Sequence, residues 1–188
     1  MTTLLSSSQL LLCSMQGTLF QDSLRYAAYG SAVFVQRFMN SHVAQAFDDE
    51  LILFAATTSR LLVQEIDEEY GGLGRGRTQV SEDVMYWAGY VYRYWACLSG
   101  QSSASLYKVA PAREMFRVYE AYHTLDPAAA IRRILEAAGA EPAALERRSS
   151  VSAEEQQRML VERGVSFLRE LHGKPEYRYR LVRLDQES

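Results

Sequence analysis

Between Ser81 and Gly100 the chain reads SEDVMYWAGYVYRYWACLSG, and no other stretch restricts the fold as strongly. Ser81 is a good N-cap, and Glu82 and Asp83 fall in the first turn, where the helix dipole favours negative charge. Val84, Trp87, Ala88, Val91, Trp95 and Leu98 recur at helical spacing as a wide apolar stripe. Tyr86, Tyr90, Arg93, Tyr94 and Cys97 run beside it. A helix apolar around so much of its circumference must be enclosed by other elements. The spacing therefore predicts a central aromatic-rich helix stopped by Gly100.

The flanking segments read as further, shorter helices. Residues 1–20 are rich in Ser, Thr, Leu and Gln with weak periodicity, and are expected to form a flexible N-terminus or a single amphipathic turn. From Ser31, the residues Val33, Phe34, Phe38, Val43 and Phe47 predict a helix ending near Asp48, interrupted at Asn40-Ser41. Segment 51–66 carries two apolar runs around Thr57-Thr58-Ser59, and for the second run helix and strand stay open. Gly71, Gly72, Gly74 and Gly76, with Arg75 and Arg77 among them, predict a flexible loop. A phosphate cradle is the sharper alternative, but GGLGRGR fits neither the Walker A spacing nor the dinucleotide fingerprint. Ser102 or Ser103 caps one short helix, and Pro111 opens another. Asp126-Pro127 is a strong start signal for a third, which Gly139 closes.

Residues 140–150 read as a linker. Ser152-Ala-Glu-Glu155 is a capping box opening a polar amphipathic helix that Gly173-Lys-Pro175 ends. Tyr177-Arg178-Tyr179-Arg180-Leu181 alternates with period two, which is strand-like. Such a strand needs a partner, either the 61–66 segment or another chain. The expected fold is mainly α. It comprises a compact helical domain over 21–139 around the central helix, and a C-terminal helix with a short strand-like interaction tail over 151–188.

Charge and composition narrow the function by exclusion. A length of 188 residues and a net charge of −3 suit one acidic globular domain without bulk attraction to nucleic acid or anionic membrane. Lys108 and Lys174 are the only lysines among 20 basic residues, so local arginine patches remain. Cys13 and Cys97 are too few for a disulfide framework and read as a reduced pair, Cys97 as a buried small hydrophobe. No Lys or Arg precedes Arg25, and no apolar run approaches the roughly 18 residues of a membrane span. A cytoplasmic protein without membrane contact is the expectation.

Chemistry has few places to sit. His42, His123 and His172 lack metal-ligand spacing from one another and from the cysteines. Glu65, Asp67, Glu68 and Glu69 read as a solvated helix end sooner than a Mg²⁺ site. Cys97 and His123 are the only conceivable Cys–His couple, and Cys97 lacks an electropositive setting. His123 and Asp126 are expected to bond one another or the backbone. Tyr90 to Trp95 could stack on bases, but core packing suits it better, with Arg93 in a buried ion pair to Asp126 or to an acid of 65–69. No catalytic residue, metal or cofactor is assigned.

Three stretches carry a resemblance: FVQRFMNSHVAQAFD (34–48), VQEIDEEYG (63–71) and the block from Met85 to Leu135 containing YRYW and YHTLDP. Over residues 22–138 the chain resembles a family of small bacterial antitoxin-like proteins from toxin–antitoxin loci, often beside an ADP-ribosyltransferase-like toxin gene. The resemblance implies a binding protein that neutralises a cognate toxin by direct contact, and not an enzyme; it does not reach the tail. Tyr and Arg are favoured at interface hot spots, so the expected contacts are Arg75, Arg77, Arg93, Tyr94, His123, Tyr177, Arg178, Tyr179 and Arg180. Other readings stay open. One is a regulator binding operator DNA through arginines at 75–77, 132–133, 147–148 and 178–183. Another is a ligand pocket formed by Arg93, Tyr94 and His123. A homo-oligomer is also compatible.

Overall fold

The computed structural model describes residues 5–54, 57–72, 76 and 78–140. Among these residues the protein is mainly helical, with eight α-helices. They are α1 (Ser7–Tyr26), α2 (Ser31–Met39), α3 (His42–Asp48), α4 (Ser59–Glu69), α5 (Glu82–Ser99), α6 (Ser103–Val109), α7 (Ala112–Tyr122) and α8 (Pro127–Ala137). A 3₁₀ turn, Leu51–Phe54, joins α3 to the approach of α4. No described helix is long and apolar enough to cross a membrane.

α5 takes the central position that its stripe dictates. Ser81 caps it through Val84 N, and Gly100 ends it in the left-handed conformation at φ 67°. Its buried side includes Met85, Ala88, Val91, Tyr92, Trp95 and Leu98. The Asn40-Ser41 interruption is real: α2 ends at Met39, and Ser41 caps α3 through Ala44 N. Asp126 caps α8 through Ala128 N and Ala129 N, with Pro127 at the first helical position.

The N-terminal segment departs from expectation. Rather than a flexible arm or one turn, it forms α1, capped by a Ser6/Gln9 capping box, and α1 shares the most extensive interface of the described fold with α5. The two helices run antiparallel. Gln21 bonds Glu82, the Tyr86 ring lies over Gly17, and Gln16 donates to the Gly89 carbonyl. A Cβ on Gly89 would lie 2.6 Å from Gln16 O and 3.0 Å from Gly17 Cα, so the backbones touch at this crossing. The periodicity of α1 is weak because its interface uses glycine and glutamine as well as leucine. Gln16 and Gly17 are as buried as Leu12 and Phe20.

The 61–66 run is helical, inside α4 and capped by Thr58. It is therefore not a strand partner for the tail. The four acidic residues at its end form side-chain contacts to their surroundings: Asp67 accepts the Tyr29 hydroxyl, and Glu69 accepts His42 N at 3.1 Å. At the described end of the glycine segment, Gly76 O accepts Gly30 N at 2.7 Å and Thr78 O accepts Ser31 N at 3.1 Å. Those carbonyls take up amides at the start of α2, which has no side-chain cap. As acceptors these two carbonyls supply none of the donors a phosphate cradle needs, and residues 73–75 and 77 of the run lie outside the described residues. Most of the expected linker, the Ser152–Gly173 helix and the strand-like tail lie outside the described residues, as do Arg75, Arg77, Tyr177, Arg178, Tyr179 and Arg180.

Candidate functional site

The strongest polar cluster surrounds Arg93, whose side chain is 1% exposed. Its helical position points it from α5 into the space between α1, α3 and α6. There Nη1 donates to Asp48 Oδ1 at 2.7 Å, Nε to Gln16 Oε1 at 2.7 Å and Nη2 to Ser103 Oγ at 2.8 Å. Ser103 closes the ring, giving its amide to Asp48 Oδ2 at 2.8 Å and its hydroxyl to Oδ1 at 2.7 Å. The Phe47 ring centroid lies 5.4 Å from the guanidinium carbon. The expected ion pair exists, but its acid is Asp48, not Asp126 or a residue of 65–69. Asp48 was legible only as the last residue of α3; nothing local aims it at α5.

A cavity of about 220 Å³ lies against this cluster, with Asp48, Asp49, Glu50, Arg93, Cys97 and Gln101 in its wall. Neither Tyr94 nor His123 lines it. Tyr94 belongs to a half-buried ladder on another side of α5, stacked with Tyr90 at 6.2 Å as Tyr90 is with Tyr86. Burial raises the Tyr90 and Tyr94 phenols above their usual range. His123 is exposed, stacks on Tyr119 at 4.6 Å and places Nδ1 3.0 Å from Tyr119 O. Tyr119 in turn meets Trp87 edge-on at 5.6 Å. Arg93, Tyr94 and His123 thus occupy three separate environments and do not form one pocket. Arg93 has no surface to offer a partner.

Both described cysteines are buried and neither is in a disulfide, and no cluster of three or more His, Cys, Asp or Glu side chains among the described residues is placed to hold a metal ion. Of the arginine pairs, Arg132 and Arg133 stand exposed on α8, with Arg133 bonded to Glu136 at 3.2 Å.

The open surface feature is elsewhere. A groove of about 700 Å³ runs along one stripe of α1, from Leu11 through Met15, Thr18 and Asp22 to Tyr26, and is walled opposite by the start of α4. Leu10, Leu11 and Tyr26 of α1 and Leu61 of α4 are 40–54% exposed. They account for most of the large exposed apolar side chains of the described residues. Thr57 Oγ1, in the groove wall, is buried with no hydrogen-bond partner among them. Of the Leu10-Leu11-Leu12 run only Leu11 lies in this face, and that signal was lost in the reading of 1–20 as a flexible arm or a single turn.

No model of a known protein family matches this chain, and neither a curated protein nor a solved structure matches it.

Proposed function

We propose that the chain is an antitoxin-like binding protein that neutralises a cognate toxin by direct protein–protein contact. The observation that carries the reading is the groove along α1 and the start of α4, edged by the exposed Leu11 and Tyr26. Apolar groups gathered on one face of a soluble domain mark an interaction surface. The family resemblance over residues 22–138 implies the class of partner, a toxin such as the ADP-ribosyltransferase-like ones often found in the loci of the family it resembles. Arg93 supports the interaction indirectly by tying α1 to α3, α5 and α6.

Co-expression with the product of the neighbouring gene tests the proposal. A complex that co-purifies and growth that is restored are expected. A toxin that remains free and remains lethal overturns the reading.

A further inference from the structure

The antiparallel contacts of α1 and α5 run from Gln21 with Glu82, through Gly17 with Tyr86, to Gln16 with Arg93. Continued by one helical turn, the same register sets Cys13, three residues before Gln16, against Cys97, four residues after Arg93. Cys13 is fully buried and Cys97 is 7% exposed, and the two thiols are in hydrogen-bond contact. Cys97 also lines the cavity beside Asp48 and Arg93. The backbones of the two helices touch at Gly17 and Gly89. A disulfide requires Cα atoms roughly 4.4–6.8 Å apart, a spacing that closely packed helices can supply.

We propose that Cys13 and Cys97 form a peroxide-sensitive dithiol whose oxidation locks α1 covalently to α5. Cys97 reacts first, being the thiol at the cavity. As its thiolate it attacks one oxygen of hydrogen peroxide, the O–O bond breaks, and the departing hydroxide takes up the thiol's proton to leave as water. Cys97 is then a sulfenic acid. The Cys13 sulfur attacks the sulfenyl sulfur, its own proton goes to the leaving hydroxyl, and a second water departs. The two sulfurs lose two electrons, which the peroxide gains.

Charge supports this order. The neighbouring Cys97 thiol is the largest cause holding the Cys13 thiol above its usual range, ahead of burial, while Arg93 acts in the opposite direction. Oxidation of Cys97 removes the first of these, so Cys13 becomes a better nucleophile only once its target exists. The lock forms within one chain and does not depend on the identity of any partner.

The experiment uses the full reduced chain, hydrogen peroxide as oxidant, and alkylation after denaturation. The expected result is loss of both alkylation sites together, a linked peptide pair containing Cys13 and Cys97, and a mass lower by two hydrogens. The Tm should rise, and dithiothreitol should reverse every change. In Cys13→Ser, Cys97 should accumulate as a sulfenic acid trapped by dimedone, whereas Cys97→Ser should leave Cys13 alkylatable at the same peroxide dose. Two thiols that stay alkylatable, a bridge between chains, or oxidation of Cys13 in Cys97→Ser overturns the proposal. If either variant fails to fold, the linked peptide and the Tm of the unmodified sequence still decide it.

Discussion

The Arg93 guanidinium and the Asp48 carboxylate sit 2.7 Å apart across the α5–α3 interface, with Arg93 1% and Asp48 17% exposed. A charge that deep is tolerated only because each of its nitrogens has an acceptor. Removing one partner strands the other, which is the costly event, while the intact pair adds little beyond what an apolar replacement would.

Asp48→Ala should therefore destabilise the fold by about 3–5 kcal/mol. Arg93→Ala should cost a comparable amount through lost packing and the stranded Asp48. The double variant should cost much less than the sum, a coupling of more than about 1 kcal/mol in a denaturant double-mutant cycle. Additive costs would mean the pair is not coupled.

Gly89→Ala tests the helix crossing. The added Cβ meets main-chain atoms, Gln16 O at 2.6 Å and Gly17 Cα at 3.0 Å. Its gain in helix propensity, about 1 kcal/mol, is outweighed by overpacking, and a net loss of about 1–3 kcal/mol is expected. Gly17→Ala meets the Tyr86 ring at 2.9 Å instead, a side chain that can shift. Its cost should be smaller, and thermal unfolding of the two variants ranks them.

Stability should fall in strong alkali. Burial, and then the Asp67 hydrogen bond, raises the Tyr29 phenol above its usual 10.0, and burial does the same for Tyr92. The folded state holds these protons to higher pH than the unfolded state does. Their contribution is thus fully present below pH 10 and is lost as pH rises beyond it. Chemical denaturation at stepped alkaline pH should show this loss, and Tyr29→Phe should flatten the slope. An unchanged slope would remove Tyr29 as its source.

Leu11→Asp and Leu61→Asp separate binding from folding. Both leucines are at least half exposed, so each substitution should change stability by no more than about 0.5 kcal/mol. Leu11 lines the groove of the proposed toxin interface, so its substitution should weaken the complex at least tenfold, roughly 1.4 kcal/mol, whereas Leu61, outside the groove wall, should not. Leu125→Asp, 39% exposed in the turn before α8, should leave affinity unchanged. Titration calorimetry with the purified toxin gives all three values.

Where the local code is strong, sequence and structure agree. The Ser81 and Asp126 caps, the Gly100 stop and the Asn40-Ser41 break are each written within four residues, because capping and glycine geometry act over one helical turn. Helix and strand stayed open for 61–66 because a short apolar run satisfies both periods, and packing against α1 and α3 settled it as helix. α1 was missed for a related reason. A helix that docks through Gln16 and Gly17 shows little amphipathic signal, since those residues bury well only when the matching groups of α5 lie opposite.

The sequence by itself determined a helical domain organised around α5, because apolar periodicity and caps report on a segment's own backbone. It also determined that Arg93 must be matched. Which acid matches it, that Cys13 faces Cys97, and that the leucines of α1 and α4 share one groove were decided only by the tertiary structure. Each pairs residues dozens of positions apart, and only the close crossing of α1 and α5 and the docking of α3 and α4 bring them within contact range.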